Sequence, residues 1–151
     1  MRRLIETHKT GSGDLNDQLE VACMDRPSKV GGGACHVYEV AAADDPMRRF
    51  ARIAFQHGPI KEHSLNGCSD ESLLSILIDR LEHFQAGPHA CDDNAETLVH
   101  LENALECMHE RTKKRIAANV EGTNAQADED PPKKKAKKKQ KKKKSPKKSK
   151  D

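Results

Sequence analysis

The chain has 151 residues, 34% hydrophobic and 34% charged, with three Phe, one Tyr and no Trp, so whatever folds must be built on a small aliphatic core. Its net charge of +3 is a cancellation: thirteen Lys and one Asp give residues 133–151 a charge of +12, which leaves −9 on residues 1–132. No apolar run approaches the ~18–20 residues of a membrane span, and the Met-Arg-Arg start lacks the apolar stretch of a secretory signal, so a soluble, cytoplasmic protein with no membrane partner is expected.

Residues 1–14 are polar, carry Gly11-Ser12-Gly13, and are expected to be flexible. Within a β-rich region over 15–58, residues 19–25, 35–41 and 49–56 are β-branched or aromatic runs separated by Gly/Pro/Asp-rich connections, and read as three short strands. The chemistry changes after Gly58-Pro59. Asn66-Gly67 is a turn, Ser69 or Asp70 can cap, and Leu73, Leu74, Leu77, Ile78, Leu81 and Phe84 recur at three- and four-residue spacing. That spacing predicts an amphipathic helix of about sixteen residues, closed by Gly87-Pro88. A second helix begins after Asp92-Asp93, places Leu98, Leu101, Leu105, Met108 and Ile116 on one stripe, and runs to about Asn119.

Joined by a short loop, the two helices form an antiparallel hairpin over 59–123. At ~1.5 Å per residue they reach roughly 24 Å and roughly 40 Å, so residues 109–119 overhang, with an apolar flank at Ile116. Another copy of the chain is the simplest cover for it. The segment 124–151 combines an acidic joint (Asp128-Glu129-Asp130), Pro131-Pro132 and the lysine run, and is expected to be disordered. The fold class is therefore α+β: a small N-terminal antiparallel sheet, a long antiparallel helical hairpin and a basic C-terminal tail.

Five cysteines without Cys-x-x-Cys spacing read as reduced thiols, and no Cys/His pairs stand at the spacings of structural zinc sites, so neither a metal nor a cofactor is expected. There is no P-loop, no G-x-S-x-G and no H-E-x-x-H, and the His residues fall mostly on expected loops or exposed helix faces; no catalytic residue is assigned. Two constellations have binding chemistry. Arg111 and Arg115, one turn apart on one helix face, are either the solvated basic end of a helix or a pair of guanidinium groups able to grip a phosphate. Phe84 and Asn94 bracket the interhelical loop and read either as a core aromatic and a helix cap, or as a stacking face and an amide edge for an adenine. The lysine run lacks interleaved aromatics, so it is either a solvated tail or a non-specific contact to nucleic-acid phosphates through 133–150.

Residues 55–67, 79–91, Asn94 and 111–123 together resemble the helical-hairpin domain of phage proteins that sequester the cyclic nucleotide signals of Thoeris and CBASS immunity. Leu15-Asn16-Asp17 and 32–38 are similar to the strand-rich region that precedes it in Thoeris-type members. The resemblance implies binding without turnover by a homo-oligomer, commonly a hexamer, in the host cytoplasm. The ligand would be a cyclic ADP-ribose-type signal or a cyclic di- or trinucleotide. It also implies site roles: Phe84 stacks on a base, Asn94 contacts it, Arg111 and Arg115 hold the phosphates, and Thr112, Gly122 and Thr123 are additional candidate contacts. Two positions depart from the family pattern. Ala118-Asn119 stands where the family has Arg-Gly, and His89 stands where an aromatic is common. Asn tolerates the left-handed backbone such a turn requires. The competing reading is a nucleic-acid-associated oligomer that works through its polybasic tail.

Overall fold

The computed structural model describes residues 2–125, so the expected disordered tail lies outside the described residues from 126 onward. The observed fold is α+β. Four strands, β1 (Arg3–Ile5), β2 (Leu19–Cys23), β3 (Val37–Ala42) and β4 (Arg49–Ala54), form one antiparallel meander in the order β1-β2-β3-β4. A single turn, α1 (Ile60–His63), then leads into α2 (Asp70–Gln85) and α3 (Asp92–Ala117).

The register gives the sheet two unlike faces. Val21 lies opposite Val40, Cys23 opposite Tyr38, and Tyr38 opposite Ile53, which sets one apolar face. On the other face Glu39 lies opposite Arg52 and accepts hydrogen bonds on Oε1 from Arg52 (3.0 Å) and Arg49 (3.2 Å). These pairs keep a buried carboxylate compensated. The interior is small: Ala22, Cys23, Ala41, Ala42 and Val120 are the buried hydrophobic residues among those described.

Residues 1–14, expected to be flexible, instead supply the edge strand β1 and a pinned turn. Ile5 pairs with Val21, and Arg2 forms an ion pair with Glu20. Asp17 then accepts hydrogen bonds from the backbone N–H groups of Gly11 (3.1 Å) and Gly13 (2.6 Å). Both glycines have positive φ, which lets their two N–H groups converge on one carboxylate.

The helices follow the sequence pattern closely. Ser69 caps α2, its hydroxyl accepting from the Ser72 N–H at 3.2 Å. In α3 the cap position is Cys91, with Asp92 and Asp93 in the first turn where carboxylates favour the helix dipole. At the other end Asn119 adopts φ 57°, and the Val120 and Asn119 N–H groups donate to the carbonyls of Arg115 (3.0 Å) and Ile116 (2.9 Å). That pattern is a Schellman closure, so Asn119 does serve where glycine is usual. The overhang of α3 is met partly by the chain itself. Residues 120–125 fold back with Val120 buried, and Gly122 approaches Ile60 and Lys61 of α1 closely enough that a Cβ there would lie 3.1 Å from Ile60 Cγ2. Ile116 stays 58% exposed.

Backbone hydrogen bonds from Gly11 and Gly13, with the largest effect from Gly13, hold the Asp17 carboxyl below its ordinary value of 3.8. A depressed carboxyl stabilises the turn above that ordinary value and ceases to do so as the pH falls through its lower folded value. In an NMR titration the Gly11 and Gly13 amide resonances are therefore expected to stay fixed from neutrality to pH 4 and to move together only below it. Movement at higher pH would contradict the assignment.

Candidate functional site

A groove opens between the apolar face of the sheet, the start of α2 and the last turns of α3. Its larger half encloses about 1090 Å³ and its smaller half about 800 Å³, and the residues common to both include Gly31, His36, Gln56, Arg111 and Glu121. The floor is apolar and aromatic: Val21, Tyr38, Val40, Ile53 and Phe55 line it, with the Tyr38 and Phe55 rings edge to face at 5.6 Å. Such a floor with a few convergent polar groups is the usual composition of a small-molecule site.

The connection 55–68 builds one wall. Phe55 N–H donates to His36 O (2.7 Å), and the Gln56 and Cys68 N–H groups donate to Cys68 O and Ala54 O. Gln56 and Asn66 side chains then cross-link the loop, Asn66 Oδ1 accepting from His57 N–H at 2.8 Å and Gln56 Oε1 accepting from Asn66 N–H at 3.0 Å. Gly67 has no room for a side chain, because a Cβ would sit 2.3 Å from the Phe55 carbonyl carbon. The turn anticipated at Asn66-Gly67 is thus the clamp that seats the loop beside the sheet.

Arg111 borders both halves of the groove and has no hydrogen-bond or ion-pair partner among the described residues. Glu110, one of its nearby acids, instead pairs with Lys113 at 2.7 Å. Thr112 lines the larger half, and Gly122 and Thr123 line the smaller. Arg115 behaves differently from the expectation of a matched pair. Its Nε donates to Glu121 Oε2 (2.8 Å), Nη1 to Ala125 O (3.0 Å), and Nη2 to Val120 O (3.0 Å) and Thr123 O (2.8 Å). Four of the five guanidinium N–H donors are therefore occupied, and the side chain is only 15% exposed. The cause is the turn after α3, whose carbonyls lack helical partners and take the nearest forked donor. In this arrangement Arg115 shapes the groove wall, and Arg111 is the cation left for a ligand.

Phe84 and Asn94 lie at the opposite end of the hairpin, with Asn94 about 25 Å from Arg111 along α3 at a rise of ~1.5 Å per residue. A single chain does not bring the four residues together. Arg80 stacks over the Phe84 ring at 4.7 Å, and His89 meets that ring edge to face at 6.2 Å. Asn94 is not the cap of α3 but lies inside its first turn, its Nδ2 donating to His89 O at 3.3 Å. Two Gln85–Cys91 hydrogen bonds of 3.0 Å close the loop between the helices. Asn94 Oδ1 accepts no hydrogen bond among the described residues, so one amide edge of this preformed tip is open to a donor.

Sequence reasoning missed the aromatic floor and His36. His36 is buried at 8% exposure, edge to face with His57 at 4.7 Å, whereas a loop or exposed surface was expected for most histidines. The alternation Val37–Tyr38–Glu39–Val40 is the signal that could have placed Tyr38 and Val40 on one face.

Comparison with known proteins adds a class to this geometry. Residues 47–113, which run from the β3–β4 turn through most of α3, match the family model described as Acb2/Tad1, hairpin domain. Phe84, Asn94, Arg111 and Thr112 fall inside the matched residues; Arg115, Gly122 and Thr123 follow them. Among individual proteins, the chain is similar to Thoeris anti-defense 1 of Bacillus phage SBSphiJ7, with 40% identity over 76 residues, covering 50% of this chain and 54% of that protein. The chain thus spans about half the length of the curated relative it matches.

Because hydrogen bonds to a charged group contribute ~1.5–3 kcal/mol each, the Arg115 network should govern the order of residues 120–125. Arg115→Lys keeps the charge but cannot reach four divergent acceptors. Amide hydrogen exchange at Thr123 and Ala125 is expected to accelerate at least about tenfold in that variant, with β2 and β3 unchanged. Unaltered exchange at those two amides would show that Arg115 does not order the loop.

Proposed function

We propose that the protein is a phage anti-defence protein that binds a cyclic nucleotide immune signal and keeps it from its effector without degrading it. The observation that carries this reading is the match to the Acb2/Tad1 hairpin-domain family model, with an arginine that has no partner among the described residues at one end and an open aromatic-amide tip at the other. The likeness to a protein named for anti-defence against Thoeris supports that system as the target, and CBASS-type signals are the second candidate class.

In this reading the pocket is composite. Arg111 supplies the phosphate contact from one copy, while Phe84 and Asn94 of another copy, with its hairpin running the opposite way, supply the base contact. Two features support a homo-oligomer, a hexamer by resemblance. The separation within one chain is too long for one cyclic dinucleotide to bridge, and the hairpin leaves Ile76 62% and Val99 53% exposed. No step of the proposed action needs a nucleophile or a general base: the chain's residues stack, accept and neutralise, and the ligand leaves intact. Cytoplasmic action in the host follows from where such signals are made. A working role for the 133–150 lysine run on nucleic acid is the alternative, favoured by its +13 charge alone.

The test is retention. Purified full-length protein is incubated with a panel of cyclic ADP-ribose isomers and cyclic di- and trinucleotides, filtered, then heat-denatured, and the released ligand is identified by mass spectrometry. Intact nucleotide at a fixed ratio to protein is expected, with Arg111→Ala weakening retention at least about tenfold through loss of a charge-assisted contact. Deleting residues 131–151 should leave retention intact. Hydrolysed ligand, or retention lost with the tail and kept in Arg111→Ala, would refute the proposal.

A further inference from the structure

Three side chains that stand apart in the sequence meet where β2 ends and β3 begins. Cys23 Sγ, a carboxylate oxygen of Asp25 and Cys35 Sγ all lie within 4.8 Å of one another. Cys23 is 1% exposed, while Asp25 and Cys35 are half-buried, with Cys35 on the groove wall. Nothing in nucleotide capture uses this cluster.

Its dimensions are those of a coordination sphere. A tetrahedral zinc ion with Zn–S near ~2.3 Å and Zn–O near ~2.0 Å sets its sulfur and oxygen ligands about 3.5 Å apart. Cys23 Sγ stands 3.6 Å from Asp25 Oδ1. The carboxylate is also already oriented, as a ligand must be: His36 N–H donates to Oδ2 at 2.8 Å and Val37 N–H to Oδ1 at 3.2 Å, the kind of outer hydrogen bonding that fixes a ligating group. As they stand, the two thiols make only weak S–H contacts to the Asp25 backbone carbonyl, at 3.6 Å for Cys23 and 3.8 Å for Cys35. Two sulfurs and one carboxylate select a borderline-soft cation over magnesium or calcium, which take all-oxygen sites.

We propose that Cys23, Asp25 and Cys35 form a binding site for a thiophilic divalent cation, zinc in the first place, with its fourth position left to water. Bound there, the ion ties the end of β2 to the start of β3 across the Gly31-Gly32-Gly33 loop. It thereby supplements a sheet whose buried hydrophobic residues are mostly alanine. Cys/His spacing rules pass over the site because its third ligand is a carboxylate two residues after the first cysteine.

The reduced full-length protein is titrated with Co²⁺ and then Zn²⁺. One equivalent of Co²⁺ per chain should give thiolate-to-cobalt charge-transfer absorption in the near ultraviolet, which one equivalent of Zn²⁺ abolishes. Saturating Zn²⁺ should raise the unfolding midpoint by roughly 4 °C or more. Cys35→Ala, at a partly exposed position, should lose both responses while keeping the wild-type circular dichroism. Asp25→Asn should weaken binding at least about tenfold, and the combined Cys68→Ala, Cys91→Ala, Cys107→Ala variant should retain it. The inference is overturned by absent charge-transfer absorption, by absorption that survives Cys35→Ala or vanishes in the triple variant, or by recovery of Cys23 and Cys35 as a disulfide from protein kept under reductant.

Discussion

Neither helix of the hairpin contains a buried residue in a single chain, and that one constraint organises everything else. Leu73, Leu74, Ile78 and Leu81 of α2 meet Leu98, Leu101, Leu105 and Met108 of α3 only as half-covered side chains. At ~25 cal/mol per Å² of apolar area removed from water, incomplete burial leaves much of the available stabilisation unused. The sheet adds little, since its interior is mostly alanine and cysteine. A fold with so little interior depends on polar pinning: Asp17 on its turn, Gln56 and Asn66 across the 55–68 loop, and Arg115 on 120–125. The same lack of burial explains why an assembly of copies fits the proposed function, because closing the hairpin's apolar stripe and completing a pocket would then be one event.

Charge distribution decides how such a pocket could discriminate. The first 132 residues carry −9, so the body repels phosphates in general, and the groove near Arg111 also has Asp70, Glu71 and Glu121 on its walls. Arg115 neutralises Glu121 directly. What is left is a single guanidinium against an apolar floor. A polyanion such as nucleic acid gains little from one cation and meets the surrounding negative field. A small nucleotide that buries its bases and presents few phosphates gains relatively more.

Much of this was legible in the residues, and the parts that were not share a cause. α2 was readable to within a residue because Ser69, the three- and four-residue leucine spacing and Gly87-Pro88 mark its start, face and end. Asn119 was readable as a left-handed turn because few other residues accept that backbone. β1 was not, since three residues in a polar stretch carry no periodicity and exist as a strand only through pairing with β2. The contacts of Arg115 within the chain were hidden for a related reason: apart from Glu121, its partners are backbone carbonyls, which leave no trace in side-chain identity. Likewise Cys23, Asp25 and Cys35 meet only because β2 and β3 are adjacent.

The distance between the two halves of the candidate site bears on what its parts can be. If the Phe84–Asn94 tip and the Arg111 groove each served a separate ligand within one chain, each would need its own complement of stacking and phosphate contacts. The groove has stacking surface in Tyr38 and Phe55 and a cation in Arg111, but the tip has only Arg80, which already lies on the Phe84 ring. The tip is therefore the incomplete half. A base stacking on the face of Phe84 opposite Arg80 would make a sandwich of guanidinium, phenyl ring and base. In it Arg80 polarises the ring from behind and is not displaced. The phosphates of such a ligand would still lack a cation at the tip, and in the proposed assembly an antiparallel neighbour's Arg111, which has no hydrogen-bond or ion-pair partner among the described residues, would supply it.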